Sequence, residues 1–117
     1  MADVTTEENY DVGTGAGVVQ LALTIGEGQF GTCRIKLGGV EIVTATGPIS
    51  VRVGKRSEVK GKTLFVRSVV NDVNSLTNRM SVTYRLTGGA ADGKTTARGK
   101  VTREGDVLVF DANFHLV

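Results

Sequence analysis

The last segment of the chain has the most regular alternation of hydrophobic and polar residues. Every second position after Val107 is apolar, namely Leu108, Phe110, Ala112, Phe114 and Leu116. Asp111, Asn113 and His115 occupy the positions between them. A period of two is typical of a β-strand that buries one face in a core. We therefore predict a strand from Val107 to the C-terminus.

The segment before this strand, residues 94–102, predicts the other half of a hairpin. A short turn that contains a glycine separates the two segments, and such turns often join antiparallel neighbours. In the predicted register Gly99 lies opposite Phe110 on the inside, and Arg98 lies opposite Asp111 on the outside. A small residue then faces a large one in the core, and opposite charges meet at the surface.

Alternating apolar residues bounded by glycine-rich turns recur along the rest of the chain. They predict strands at Val18–Ile25, Phe30–Leu37, Val40–Thr46, Ile49–Val53, Lys62–Asp72 and Arg79–Leu86. No stretch combines apolar residues at helical spacing with capping residues. The predicted fold is all-β, an antiparallel β-sandwich of about eight strands of jelly-roll or immunoglobulin-like type. A closed β-barrel is the alternative.

A chain of 117 residues is expected to form one domain. Residues 1–12 are polar and acidic, which predicts a flexible N-terminal arm followed by a single β-sandwich domain over residues 13–117. The N-terminus has neither the basic nor the apolar region of a signal peptide, and no apolar run approaches the length of a membrane span. We therefore expect a cytoplasmic protein with no membrane partner. Secretion that needs no cleaved signal stays open.

The sequence offers little for enzyme chemistry. His115 is the one histidine of the chain, and Cys33 is the one cysteine. Cys33 alternates with apolar residues, which predicts a small buried side chain rather than a nucleophile. A zinc site needs more ligands than these two residues supply. We therefore expect no enzyme, no catalytic residue, no metal site and no cofactor.

The charges that sum to +2 are distributed unevenly along the chain. Residues 1–50 have a net charge of −4, residues 51–103 of +9, and residues 104–117 of −3. The basic middle segment could attract an anionic partner. In the alternative, acidic and basic segments become neighbours in the fold and neutralise each other.

The loop Asp72–Asn78 is the first candidate ligand site. Asp72, Asn74 and Asn78 supply oxygen atoms of the kind that bind calcium or a sugar. The loop lacks the central glycine and the terminal glutamate of an EF-hand loop. In the alternative, these side chains bond to the backbone of their own turn.

The outward face of the predicted strands 79–86 and 94–103 is the second candidate. If these strands pair, Arg79, Arg85, Arg98 and Lys100 lie together among serine and threonine hydroxyl groups. Such a face suits a glycan or another anionic ligand, and a plain solvated surface is the alternative. Nucleic acid is not expected, because the face has no aromatic side chain on which a base could stack.

Apolar side chains at outward positions favour association with a second copy of the chain or with another protein. The predicted interface residues are Phe65, Val69, Val107, Val109 and Val117. Apolar surface that exceeds the needs of one core marks a protein contact. The leading prediction is a non-enzymatic structural or protein-interaction module that self-associates or docks on a protein partner. The alternative is a module that binds a glycan or another anionic ligand.

Overall fold

The computed structural model describes residues 2–117, which form nine β-strands and one short helix. The strands are β1 (Val4–Tyr10), β2 (Val18–Gly26), β3 (Phe30–Leu37), β4 (Val40–Thr46), β5 (Ile49–Lys55), β6 (Thr63–Asn71), β7 (Arg79–Thr87), β8 (Gly93–Lys100) and β9 (Val107–Leu116). The helix α1 (Arg56–Val59) is a single turn after β5. None of the described residues belongs to a helix that is long and apolar enough to cross a membrane.

The strands form two sheets that pack face to face. The five-stranded sheet has the order β1-β9-β6-β3-β4, and the four-stranded sheet has the order β5-β2-β7-β8. All neighbouring strands are antiparallel except β1 and β9, which run parallel. Each sheet keeps two edge strands, so residues 2–117 do not close into a barrel. The predicted all-β sandwich is therefore confirmed.

The core lies between the sheets because inward and outward positions alternate along each strand. Among the fully buried side chains are Leu21, Leu23, Ile35, Leu64, Val66, Met80, Tyr84 and Phe110. Tyr84 packs edge-to-face against Phe114, with 5.3 Å between the ring centres. This geometry suits the quadrupoles of two aromatic rings and fixes the four-stranded sheet against the five-stranded one.

Cys33 is fully buried in this core, as its alternation with apolar residues predicts. Its Sγ donates a hydrogen bond of 3.1 Å to Ser68 Oγ. Burial raises the pKa of the Cys33 thiol, because the charged thiolate would lose its hydration there. The thiol therefore stays protonated near neutral pH, and the prediction of a small buried side chain is confirmed.

The predicted hairpin of the last two strands is wrong. β8 pairs with β7 in the four-stranded sheet, whereas β9 lies between β1 and β6 in the five-stranded sheet. The turn before β9 therefore carries the chain from one sheet to the other. Gly99 still faces Phe110, but across the interior, where a Cβ on Gly99 would lie 3.3 Å from the Phe110 ring. Asp111 binds Arg67 of β6 and not Arg98.

The segment that the sequence predicts as a flexible arm contains strand β1. Asp3 accepts a hydrogen bond of 2.8 Å from the Val109 backbone N–H, and Asn113 donates one of 2.9 Å to Glu7. His115 Nε2 lies 2.8 Å from the second carboxylate oxygen of Glu7. The acidic side chains thus have partners on the neighbouring strand β9, and the parallel pairing orders the segment along the sheet edge.

Strand β6 is apolar on both faces, as its sequence predicts, but only its inner face is covered. Leu64, Val66 and Val70 point into the core and are buried. On the outer face Val69 is exposed, and Phe65 is half-buried with the Arg67 guanidinium 5.9 Å from its ring centre. No strand or helix formed by residues 2–117 packs over this outer face.

Candidate functional site

The predicted pairing of strands 79–86 and 94–103 is confirmed, and it builds a polar surface on the outside of the four-stranded sheet. β7 and β8 pair in a register that sets Arg79 opposite Lys100, Ser81 opposite Arg98, Thr83 opposite Thr96 and Arg85 opposite Lys94. These residues alternate with buried side chains such as Val82 and Tyr84. The alternation therefore gives the hairpin an apolar inner side and a hydrophilic outer side.

Six exposed cations share this outer side, which we call the basic face. Its members are Arg52, Arg79, Arg85, Lys94, Arg98 and Lys100. Four of them belong to the predicted ligand set, and the structure brings these four together on two neighbouring strands. Arg52 and Lys94 are the additions. The alternation within β5 already turns Arg52 outward, but only the sheet order places β5 in the same sheet as β7 and β8.

The cations of β7 and β8 form two clusters with a polar stretch between them. Arg85 and Lys94 lie opposite each other near one end, and Arg79 and Lys100 near the other. The two pairs are six positions apart along β7, which corresponds to roughly 20 Å of strand. Between them Arg98 adds a further charge. The face is therefore an elongated array of positive charge that follows the strand direction.

The hydroxyl groups of Thr83 and Thr96 occupy the middle of this array. The two oxygens lie 3.1 Å apart, and each side chain is half-buried. A hydroxyl group both donates and accepts, so this pair can also bond to a ligand group above the sheet.

The positive charges of the basic face are not neutralised by acidic neighbours. The outward positions of its four strands contain no aspartate or glutamate. The ion pairs found within residues 2–117 are Arg34–Glu41 and Arg67–Asp111, both on the five-stranded sheet, where His115 also lies against the Glu7 carboxylate. The acidic N-terminal segment also joins that sheet, as β1. The sequence left open whether the basic segment is neutralised within the fold, and on this face the described residues leave it uncompensated.

The loop Asp72–Asn78 is held beside the basic face by Gln29, which the sequence did not single out. The Gln29 side chain is buried, and its Oε1 accepts hydrogen bonds from the backbone N–H groups of Val73 and Asn74 at 2.8 and 2.9 Å. Its Nε2 donates to the carbonyl oxygens of Thr77 and Arg79. One amide therefore satisfies four backbone groups and fixes the loop to the start of β7. A polar residue after the turn Gly26–Gly28 was its only sequence signal.

The three predicted ligands of this loop do not converge on the surface. Asn74 donates to the carbonyl oxygen of Glu27 at 2.9 Å and accepts from the Leu76 N–H at 3.0 Å, so its amide holds the turn. Asp72 is buried with 1% of its surface exposed, and Asn78 is half-buried. The geometry of Asn74 is that of a side chain bonded to its own turn.

The predicted interface residues fall into separate places. Val69 and Val109 are directly opposite each other, and Val107 follows on the same strand face. Phe65 is separated from Val69 by Arg67, and Val117 lies at the other end of β9. The structure adds exposed apolar neighbours near Val69 and Val107. We call this group the apolar end, which consists of Phe30, Val69, Val73, Leu76 and Val107.

The side chains of the apolar end are more exposed to solvent than large apolar residues usually are. Leu76 is 91% exposed and Phe30 is 50% exposed. Phe30 and Val107 flank Asn71 on neighbouring strands, and the anchored loop carries Val73 and Leu76 past the same end of the sheet. A group of large apolar side chains at one end of a molecule is a surface suited to protein association.

Arg56 is a second anchor that sequence reasoning missed. Its guanidinium donates to the carbonyl oxygens of Thr14 and Gly88 at 2.7 Å and of Gly89 at 3.2 Å. A Cβ on Gly17 would lie 2.5 Å from Arg56 Nε, so the missing side chain makes room for this contact. The glycine-rich segment before β2 therefore packs around a cation of its own chain, and the guanidinium is used in holding two loops.

Cys33 and His115 do not form a catalytic pair. Cys33 lies in the core, and His115 lies on the outer side of β9, where it contacts Glu7 and Thr63. Among residues 2–117 no group of three histidine, cysteine or acidic side chains is arranged to hold a metal ion.

The basic face, the anchored loop beside it and the apolar end are therefore the three candidate binding surfaces. The chain matches no protein-family model, and neither the curated proteins nor the solved structures include one that is similar to it. The function is inferred from the chemistry of the side chains.

Proposed function

We propose that the protein is a non-enzymatic binding module that holds a sulfated or phosphorylated glycan on the basic face. The observation that carries this proposal is the set of six exposed cations on one sheet face with no acidic residue among them. Like charges that are kept close together repel each other, so the array is destabilised until an anion neutralises it. A multivalent anion that spans the face relieves several of these repulsions at once.

The shape of the basic face favours a linear polymer over a small anion. Its two cation pairs, Arg85 with Lys94 and Arg79 with Lys100, lie roughly 20 Å apart along the strands. A single sulfate or phosphate group reaches only one of them, whereas an extended chain of charged groups reaches both. Exposed single ion pairs contribute little each, so binding needs this multivalency.

The side chains between the cations favour a glycan over a single-stranded nucleic acid. The outward positions of β2, β5, β7 and β8 contain serine, threonine and glutamine but no aromatic residue. Sequence-tolerant binding of single strands normally relies on aromatic residues for base stacking. Hydroxyl groups such as those of Thr83 and Thr96 can instead bond to sugar hydroxyl and sulfate oxygens.

The test is the affinity of the protein for a sulfated glycan chain after charge reversal on each sheet. The double variant Arg79→Glu, Arg85→Glu changes the basic face, and the matched variant Arg34→Glu, Lys36→Glu makes the same change of charge on β3 of the other sheet. Titration calorimetry in low salt should show an affinity loss on the order of 100-fold for the first variant and a much smaller loss for the second. The wild-type affinity should also fall steeply as salt is added.

Two results would contradict this proposal. If the wild-type protein does not bind the glycan, or if both variants lose affinity equally, the basic face is not a specific site. A duplex DNA of similar charge should bind more weakly than the glycan. Tighter binding to DNA would replace the glycan with a nucleic acid as the ligand.

A second candidate function is self-association through the apolar end. It is favoured by the exposure of Leu76, Phe30, Val73 and Val107 at the same end of the molecule. A second copy of the chain would cover these side chains and remove their apolar surface from water. It narrows the leading prediction of the sequence, which also allowed docking on another protein, to Val69 and Val107 of the predicted interface, and it adds Phe30, Val73 and Leu76.

Light scattering on a sizing column tests this second candidate. The wild-type protein should elute as an oligomer, and Leu76→Glu should convert it to a monomer. Val40→Glu is the matched control, because Val40 is also exposed but begins β4 at the opposite end of the sheet. A monomeric wild-type protein at high concentration would remove the idea, and so would an oligomer that Val40→Glu disrupts equally.

A further inference from the structure

The backbones of Asp72 and Asp106 pair where β6 ends and β9 begins. The Asp72 N–H donates to the Asp106 carbonyl oxygen at 2.9 Å, and the Gly105 N–H donates to the Asp72 carbonyl oxygen at 3.1 Å. Two residues thus oppose one, which is the pattern of a β-bulge with glycine in its first position. Gly105 has a φ of +88°, which this position requires and a larger residue rarely adopts.

The bulge determines which way the two side chains point. Asn71 and Val107 are opposite each other and both face outward. Because directions alternate along a strand, the next residues, Asp72 and Asp106, both turn toward the inside of the sandwich. Directly opposed side chains have Cβ atoms about 4.5–5.5 Å apart, and opposed like charges destabilise the pair. The two carboxylates therefore share one small region at the end of the core.

Asp72 is also without compensation in this region. Only 1% of its surface is exposed, and neither Oδ1 nor Oδ2 has a hydrogen-bond partner among the described residues. Buried polar side chains are nearly always hydrogen-bonded, and a buried charge requires an opposite charge. Asp106 is half-buried and brings a second negative charge. A cation at this position would give both carboxylates an opposite charge.

We propose that Asp72 and Asp106 bind a hard divalent cation, Ca²⁺. Two carboxylates supply up to four oxygen ligands, and Ca²⁺ completes its six to eight ligands with backbone carbonyl oxygens and water. Its charge of +2 offsets both carboxylates at once. Mg²⁺ suits the position less, because it requires a near-octahedral shell and gives up its water reluctantly.

This site differs from the one that the sequence suggests. The predicted set of Asp72, Asn74 and Asn78 lies on one loop, whereas the proposed ligands come from two neighbouring strands. Asn74 is occupied in the turn, and Asp106 takes the place of the two asparagines. Sequence alone could not pair Asp72 with Asp106, because the pairing depends on β9 lying beside β6.

Binding of Ca²⁺ is expected to stabilise the folded protein, because the unfolded chain does not bring the two carboxylates together. The experiment uses the full chain stripped with EDTA and then titrated with CaCl₂. Calorimetry should report one site per chain, and the Tm should rise on the order of 10 °C at a hundredfold excess over Kd. Asp106→Asn and Asp72→Asn should each abolish the rise. Asp92→Asn is the matched control, since Asp92 is an exposed aspartate in another loop.

Three results would overturn the proposal. The first is a wild-type Tm that is the same in EDTA and in millimolar CaCl₂, with no heat of binding. The second is a Ca²⁺-dependent rise that survives in both Asp106→Asn and Asp72→Asn. The third is an equal rise with MgCl₂ at the same concentration, which would indicate general screening of acidic residues. The Asp106→Asn variant is expected to fold, because Asp106 is only half-buried. It therefore tests the site even if Asp72→Asn disturbs the core.

Discussion

The outer faces of the two sheets use charged residues in opposite ways. On the five-stranded sheet the charges are paired: Arg67 makes two hydrogen bonds of 2.8 Å to Asp111, and His115 lies 2.8 Å from Glu7. We call this surface the mixed face. The basic face of the four-stranded sheet has six cations, and none of them forms an ion pair within residues 2–117. One surface contains charges that are paired within the chain, and the other contains charges that are not.

The difference follows from how the fold distributes the three charged segments of the chain. The acidic ends, residues 1–50 and 104–117, supply β1 and β9 to the five-stranded sheet. The basic segment, residues 51–103, supplies β7, β8 and most of β5 to the four-stranded sheet. Two strands cross this division. β2 comes from the first acidic segment but contains no charged residue, and β6 comes from the basic segment and joins the five-stranded sheet, where Arg67 meets Asp111. Uneven charge along a chain thus becomes a surface of one sign when the topology keeps opposite segments in different sheets.

The largest expected effect is a difference in stability between substitutions on the inner and the outer side of strand β8. A Cβ on Gly99 would lie 2.7 Å from Leu108 and 3.3 Å from the Phe110 ring, so Gly99→Val should overpack the interior. We expect it to lower the free energy of unfolding by about 2 kcal/mol. Arg98→Val, one residue away on the basic face, should change it by less than about 0.5 kcal/mol. Urea unfolding measures both.

Equal losses in the two variants would break the comparison between the faces. They would mean that Arg98 contributes to folding as Gly99 does, and that the basic face is a structural surface. Glycan affinity provides the complementary measurement. Arg98→Val should weaken binding, whereas Gly99→Val should not affect it while the protein stays folded.

A smaller difference in stability is expected between removing a charge that forms an ion pair and removing one that forms none. Asp111→Ala removes the partner of Arg67 on the mixed face and should lower the free energy of unfolding, though only modestly because Arg67 is exposed. Arg98→Ala on the basic face should leave it unchanged or raise it slightly, because a repulsive neighbour is lost. Chemical unfolding at low salt distinguishes the two. Destabilisation of similar size by Arg98→Ala would show an internal partner for that cation.

Local patterns predicted the strands well, but they could not predict their partners. The alternation in Val18–Ile25, Arg79–Leu86 and the segment after Val107 is reproduced by β2, β7 and β9. A short turn, however, can join strands within one sheet or carry the chain to the other sheet. The turns before β3 and β9 do the latter, so only β3 with β4 and β7 with β8 are hairpins between consecutive strands. The alternation is set by local burial, whereas the partner depends on the packing of the whole chain.

The same limit applies to the candidate site. The register of β7 and β8 follows from local alternation, and Arg79, Arg85, Arg98 and Lys100 were predicted from it. Arg52 joins them only through the sheet order. Gln29 and Arg56 gave no periodic signal, because their roles consist of hydrogen bonds to backbone groups far away in sequence. The parallel pairing of β1 with β9 was missed as well, because β1 lies in a polar segment and its partner strand is far away in sequence.

A pH-dependent effect is expected on the mixed face. Hydrogen bonds from His115 and Asn113 lower the pKa of Glu7 below its usual value of 4.5. A carboxyl group with a lowered pKa in the folded state stabilises the fold above its unfolded pKa, and this contribution is lost as the pH falls through the folded pKa. The Tm difference between the wild-type protein and Glu7→Gln should therefore be constant from pH 6 to about pH 5 and disappear at more acidic pH.

Thermal melts at several pH values test this prediction, with Glu8→Gln as the control on the same strand. Glu8 is exposed and lies next to Glu7 in sequence, but it does not share the bonds to His115 and Asn113. A pH-independent difference would show that Glu7 acts through its shape or its neutral hydrogen bonds. The basic face has no carboxylate at its outward positions, so glycan binding should not follow the same acid transition.

The smallest expected effect concerns the hydroxyl groups of the basic face. Thr83→Val, Thr96→Val removes a pair of hydroxyls 3.1 Å apart without changing any charge. Valine suits a β-strand, so the free energy of unfolding should change by less than about 0.5 kcal/mol. If the glycan lies along the strands between the two cation pairs, its affinity should fall by about threefold, because hydrogen bonds to its oxygens are lost.

The matched control is Thr32→Val, Thr46→Val, since these threonines are also directly opposite each other and exposed, but on the mixed face. It should leave glycan affinity unchanged. An equal decrease in both variants would indicate that the hydroxyls of the basic face make no specific contact and that binding depends on charge alone. In that case binding should be entirely electrostatic and should be lost at high salt. Any polyanion of equal charge density should then bind as tightly as the glycan.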